Sequence, residues 1–164
     1  MSEKINVCIS IYKEQIKNGK VQKAYTFLLK YIMQVKTSFE KSFSKEYSCG
    51  YVSPGYMDYS YFSFANEYLR GEKLRFGIVL NHSEMRFELW LMGQNKEIQN
   101  RYWDILKSSK WNESRTKKPQ YAELEIVLID DPNFEKIDEL TDDVINRAVT
   151  EAEEVIAYLK KLEQ

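Results

Sequence analysis

The chain has 164 residues, 43% hydrophobic and 30% charged, with a formal net charge of −1 at pH 7. That length suits one domain, and folding at this size buries roughly 68–70% of the unfolded surface, enough for a core without metals or disulfides. A pI near 6.0 speaks against nonspecific DNA binding, which wants a basic domain, and no apolar run approaches the ~20 residues that span a bilayer.

From the N-terminus, Ile5, Cys8, Ile9, Tyr12 and Ile16 recur at steps of three and four, one apolar stripe of a helix. Ser2 is the expected cap and Asn18-Gly19 the stop. On this stripe Cys8 is expected to be a buried thiol. A second stripe, from Val21 through Leu28, Ile32, Val35 and Phe39 to Phe43, predicts a helix over 20–45, about 39 Å long at 1.5 Å per residue. So short a turn between them predicts an antiparallel helical hairpin over 1–46.

The period then changes from 3.6 to two. "YMDYSYFSF" is rich in residues that favour a pleated surface, and the "SPG" turn at 53–55 would fold "SCGYV" back on it as a short strand. "LRFGIVLN" alternates, with Leu74, Phe76, Ile78 and Leu80 on one side. "MRFELWLM" alternates likewise, with Phe87, Leu89 and Leu91 opposite Arg86, Glu88 and Trp90. With "NHSE" between them, the two runs predict a β-hairpin turning at His82-Ser83.

"NKEIQNRYWDILKSS" carries Ile98, Tyr102, Ile105 and Leu106 at helical spacing, an inserted helix over 95–108. "KWNESRTKKPQ" is polar, basic and irregular. "YAELEIVLID" alternates again, with Ala122, Leu124, Ile126 and Leu128 apolar and Tyr121, Glu123, Glu125 and Val127 opposite. A C-terminal helical segment over 134–164 has Thr141 as its expected N-cap. The fold class that follows is α+β: an antiparallel sheet of four to five strands over 47–129, backed by helices, in a single domain spanning 1–164.

Charge is divided along the chain. Residues 1–118 carry twenty Lys/Arg and twelve Asp/Glu, a balance of +8, whereas residues 119–164 carry four and thirteen, a balance of −9. The reading adopted is that the acidic C-terminal helix neutralises the basic half. Cys8 and Cys49 form no metal-type pattern, which suggests a reducing compartment and leaves one disulfide open. "MSEKINVCIS" lacks the design of a signal peptide, so the cytoplasm is expected.

The familiar catalytic signatures are missing: no GxGxxG, Walker loop, HExxH or GxSxG. His82 is the one imidazole, and it falls where a turn would want it. The polar side of the sheet collects Arg75, Arg86, Glu88, Glu123 and Glu125 with Trp90 and Val79. A solvated ladder of cross-strand charges explains that set without a function. A carboxylate site for a divalent cation is the functional alternative, but neither "FELWL" nor "ELEIV" carries the lysine of a nuclease strand. In the tyrosine-rich strand, alternation sends Tyr59, Tyr61 and Ser63 to one face and Asp58, Ser60, Phe62 and Phe64 to the other. Rings on both faces mean a strand covered twice or a pocket wall. A base-stacking platform lacks any Lys or Arg in that stretch to grip phosphates.

"GYMDYSYFSF", "LRFGIVLNHSEMRFELWLMGQNKEIQNRYW" and "VQKAYTFLLKYIMQVKTSF" resemble a family of small bacterial proteins catalogued only as a domain of unknown function. The resemblance covers nearly the whole chain and implies a single cytoplasmic bacterial domain. It brings no activity, cofactor or catalytic residue.

The sequence therefore points to a non-enzymatic binding or interaction module. Its candidate site is Asp58, Tyr59, Tyr61, Arg75, Arg86, Glu88 and Trp90, with no cofactor, metal or catalytic residue assigned. The competing class is an enzyme acting on nucleic acid or a small polar substrate through Asp58, Glu88 or His82. A ligand or protein partner is expected rather than nucleic acid or a membrane, and a homodimer stays open.

Overall fold

The alternating runs pair into one sheet, and the helical runs pack against it. The computed structural model describes residues 3–164. Its five strands are β1 (Ser48–Cys49), β2 (Tyr59–Ala65), β3 (Leu74–Asn81), β4 (Arg86–Gly93) and β5 (Leu124–Ile129), hydrogen-bonded in sequence order. All four pairings are antiparallel. The helices are α1 (Ile5–Ile16), α2 (Lys20–Phe43), α3 (Glu67–Gly71), α4 (Lys96–Leu106) and α5 (Ile137–Leu162). The α+β class, the two N-terminal helices and the long C-terminal helix are all present. The hairpin of β3 and β4 runs in unbroken register from Leu74↔Gly93 to Asn81↔Arg86.

Alternation gives the sheet two chemically different faces. On one, Phe62, Phe64, Phe76, Ile78, Leu80, Phe87, Leu89 and Leu91 are buried beneath α2 and α5. Helix α2 contributes Leu28, Tyr31, Ile32, Val35 and Phe39, and α5 contributes a stripe from Leu140 to Leu159. Burying each such side chain is worth about 1.5–3 kcal/mol, which makes this layer the main source of stability. Rings organise it: Phe39 lies 4.8 Å from Phe64, and Phe87 5.9 Å from Tyr31, centroid to centroid.

Four expectations are corrected. Helix α1 buries no residue, and Ile5 is 70% exposed. Cys8 is accordingly an exposed free thiol, not a buried one. Among the described residues, the amphipathic stripe of α1 is not buried by any partner. Ser2, expected to cap α1, lies outside the described residues. Thr141 is not the cap of α5, which starts a turn earlier at Ile137 with Lys136 as its N-cap residue. Thr141 is instead buried, donating to the Ile137 carbonyl and bonded to the Tyr31 hydroxyl at 3.0 Å. Finally, β5 begins at Leu124, so the alternation read back to Tyr121 breaks there. Ala122 falls in a second apolar cluster with Val79, Trp90 and Met92 rather than beside Leu124.

Candidate functional site

The second face of the sheet is not the open ladder that its charges suggested. The irregular segment 107–123 starts on the helical side, where Trp111 donates to Glu151 of α5, and reaches this face at Tyr121 and Ala122, which pack beside Trp90. Asn112 pins the segment by donating its amide to the carbonyls of Leu106 and Glu123. On this face Glu88 is only 1% exposed. Its Oε2 accepts from Arg86 Nε at 2.7 Å and Asn81 Nδ2 at 3.0 Å, and its Oε1 accepts from Trp90 Nε1 at 2.8 Å. The expectation of a solvated Arg86–Glu88 pair is therefore wrong. The carboxylate is a buried hub whose lone pairs hold one guanidinium, one amide and one indole in place. Glu125, half-buried, pairs with Arg115 at 3.2 Å, and burial raises its carboxyl above the usual range.

Beside this network the face opens into a cleft of about 440 Å³. Tyr59, Tyr61, Trp90, Met92 and Tyr121 form its aromatic and apolar walls, with Asp58, Tyr56, Ser53, Arg75 and Gln99 around them. The Tyr59 ring meets Trp90 at 4.8 Å, tilted 61°, and Tyr121 stacks near Trp90 at 6.3 Å and 17°. Gly77 gives the floor its depth. A Cβ there would come within 2.7 Å of Met92 Cε, so a side chain would push Met92 upward. Gly55, at φ +71, turns the preceding loop tightly against the Tyr59 carbonyl.

Five of the seven candidate residues line this cleft: Asp58, Tyr59, Tyr61, Arg75 and Trp90. Arg86 and Glu88 do not, and act one layer below by fixing Trp90. Asp58 is exposed and accepts from the backbone N–H groups of Tyr56 and Tyr59, which hold its carboxyl below the usual range. Arg75 has no carboxylate within ion-pair distance among the described residues. Met92, Gln99 and Tyr121 were not selected from sequence. Tyr121 could have been, because alternation had already placed it on the Trp90 side.

Ser60, His82 and Asp58 come together at the turn, yet the hydrogen bonds run the wrong way for nucleophilic catalysis. Ser60 Oγ lies 2.6 Å from the Pro54 carbonyl and 2.8 Å from His82 Nε2. A carbonyl only accepts, so the hydroxyl proton goes to Pro54, and His82 Nε2 carries a hydrogen and donates to Ser60. A base for Ser60 would have to accept there instead. Ser60 is also fully buried. Burial lowers the His82 pKa, against the opposing pull of Asp58.

Among the described residues, no three His, Cys, Asp or Glu side chains gather as a metal site, and no helix is long and apolar enough to cross a membrane. No curated protein and no solved structure matches the chain. A family model described as Domain of unknown function (DUF7000) matches residues 5–159, nearly the full length, and the chain belongs to that family.

Proposed function

We propose that the protein is a binding module without catalysis of its own, and that its site is the tyrosine-walled cleft on the uncovered part of the second sheet face. The observation that carries this reading is the pairing of aromatic walls with Arg75, a cation that has no carboxylate partner of its own. An apolar body with one charged contact suits a small ligand that is planar and anionic. The buried hub supports the reading. Glu88, Arg86 and Asn81 lock Trp90 before any ligand arrives, so little ordering remains to be done on binding. Each acid–base candidate is held in a role other than catalysis: Asp58 caps a turn, Glu88 is saturated, and His82 donates to Ser60. With both cysteines free, the cytoplasm is the compartment that fits.

The test is a screen of small aromatic acids by thermal shift, followed by mapping of the hits on the Trp90 indole resonance. Tyr61→Ala should abolish the shifts while leaving the fold intact, because Tyr61 is only partly buried. Hits that leave Trp90 unmoved, or that survive Tyr61→Ala, would overturn the assignment.

A further inference from the structure

Next to the aromatic cleft lies a second cavity, of about 400 Å³, lined by Ser48, Gly50, Ser63, Arg70, Lys73, Arg75 and neighbours. It has three cations and no carboxylate among its lining residues. None of the three makes an ion pair with any described residue. Arg70 is fixed by donating to Ser48 Oγ at 2.7 Å and the Ala65 carbonyl at 3.1 Å. Lys73 sits at φ 59, a left-handed conformation that a lysine adopts only at a cost. Three like charges gathered without counterions repel one another, and an anion from outside would relieve that repulsion.

The two cavities follow one another along the same strands. Tyr61 of β2 faces the aromatic cleft, and Ser63, two residues on, reaches the cationic one. Arg75 lines both. A two-residue step along a strand is about 7 Å, on the scale that separates a ring from an anionic group attached through a short linker. The stretch 50–64 has no basic residue to grip a phosphate, but β2 pairs with β3 as far as Phe64↔Phe76, and Arg75 and Lys73 come just before Phe76 in the chain, at that end of the pairing.

We infer that the two cavities form one site for a mononucleotide-type ligand, an aromatic ring bearing a phosphate ester. The ring lies in the tyrosine cleft, and the phosphate lies among Arg70, Lys73 and Arg75. Guanidinium groups match phosphate oxygens in geometry as well as charge, and tyrosine faces accept any planar ring. This inference rests on the reading of the cleft as a binding site.

The experiment titrates the full chain at low salt with adenosine, inorganic phosphate, adenosine monophosphate and a short single-stranded oligonucleotide. Calorimetry gives affinities, and the Trp90 indole and the Gly50, Ser63 and Gln94 amides report the two cavities separately. Adenosine monophosphate should move both sets and bind about tenfold or more tighter than adenosine, as a charge-assisted phosphate contact would give. Lys73→Asn, a residue that tolerates the left-handed backbone, should remove most of that advantage and leave adenosine binding unchanged. If adenosine binds as well as its monophosphate and only Trp90 moves, the phosphate role falls and the cleft reading stands. If inorganic phosphate moves the amides but no ring ligand moves Trp90, the cleft reading falls and the joint site with it. An oligonucleotide that binds far more tightly than the monophosphate, with affinity falling steeply as salt rises, would replace the small ligand by a polymer. No response to any probe would overturn the inference outright.

Discussion

The two faces of this sheet are both closed at their centre, but by different chemistry. Under α2 and α5 the closure is hydrocarbon and aromatic, redundant, and indifferent to pH. On the other face it is ionic and hydrogen-bonded around Glu88, and depends on each donor being in place. An apolar layer loses stability in proportion to the atoms removed. A polar network fails when one member leaves, because its partners remain buried and unpaired. That is why the second face can support a site: it fixes side-chain positions while leaving its own upper surface polar and partly open.

Phe87→Ala should show the largest effect, about 3–5 kcal/mol by denaturant midpoint, since the ring is fully buried against Tyr31 and Phe134. Glu88→Ala should come close to it, at about 3 kcal/mol. Its removal strands the Trp90 N–H and the Asn81 amide, and leaves Arg86 without its short partner. A solvated ladder, as the sequence suggested, would make that cost less than about 1 kcal/mol. A measured cost for Glu88→Ala below that level would mean that the second face is wet, and the contrast between the faces would collapse.

A smaller effect comes from pH. Glu123 is fully buried, with Oε1 accepting from the Gly93 N–H and Oε2 without a partner. Burial pushes its carboxyl up to about 7. In the unfolded chain a glutamate titrates near about 4.3. The folded state therefore holds a proton between these values that the unfolded state has released. Stability from this group is fully present below about pH 4.3 and is lost as pH rises towards 7, by up to about 3 kcal/mol. Glu123→Gln should flatten that part of the stability profile. An unchanged slope would mean that water or a cation reaches Oε2.

Much of the fold was legible because its signals are local. The alternation of 74–80 and 85–92, and the long stripe of α2, each match one period over many residues. What the sequence did not reveal depends on where a neighbour lies. "KWNESRTKKPQ" has no period, yet it is fixed in place by Trp111 on Glu151 of α5, Asn112 on the Glu123 carbonyl and Arg115 on Glu125. The stripe of α1 is as regular as that of α2, but among the described residues none of it is buried. Ala122 and Glu123 continue an alternation in text that the backbone abandons at Leu124. In the candidate site, Tyr59, Tyr61, Arg75 and Trp90 were legible from strand faces, whereas the cation-lined cavity beside it required β2 and β3 to be placed side by side.

The smallest effect on stability should belong to Arg75→Gln, and it separates the open part of the second face from its buried part. Arg75 is exposed, and no hydrogen bond or ion pair within the described residues holds its guanidinium. A surface substitution of that kind changes stability by about 0.5 kcal/mol or less. The loss of one cation from a cluster of three could even raise it slightly, since Arg70 and Lys73 would repel less. Binding should respond in the opposite proportion. Arg75 borders both cavities, so the substitution should weaken ring and phosphate probes alike, where Lys73→Asn weakens only the phosphate. Denaturant midpoints and calorimetry on the same two variants give both quantities. If Arg75→Gln destabilised as much as Glu88→Ala, the guanidinium would belong to the buried network, and the cleft would be the top of a core rather than a site.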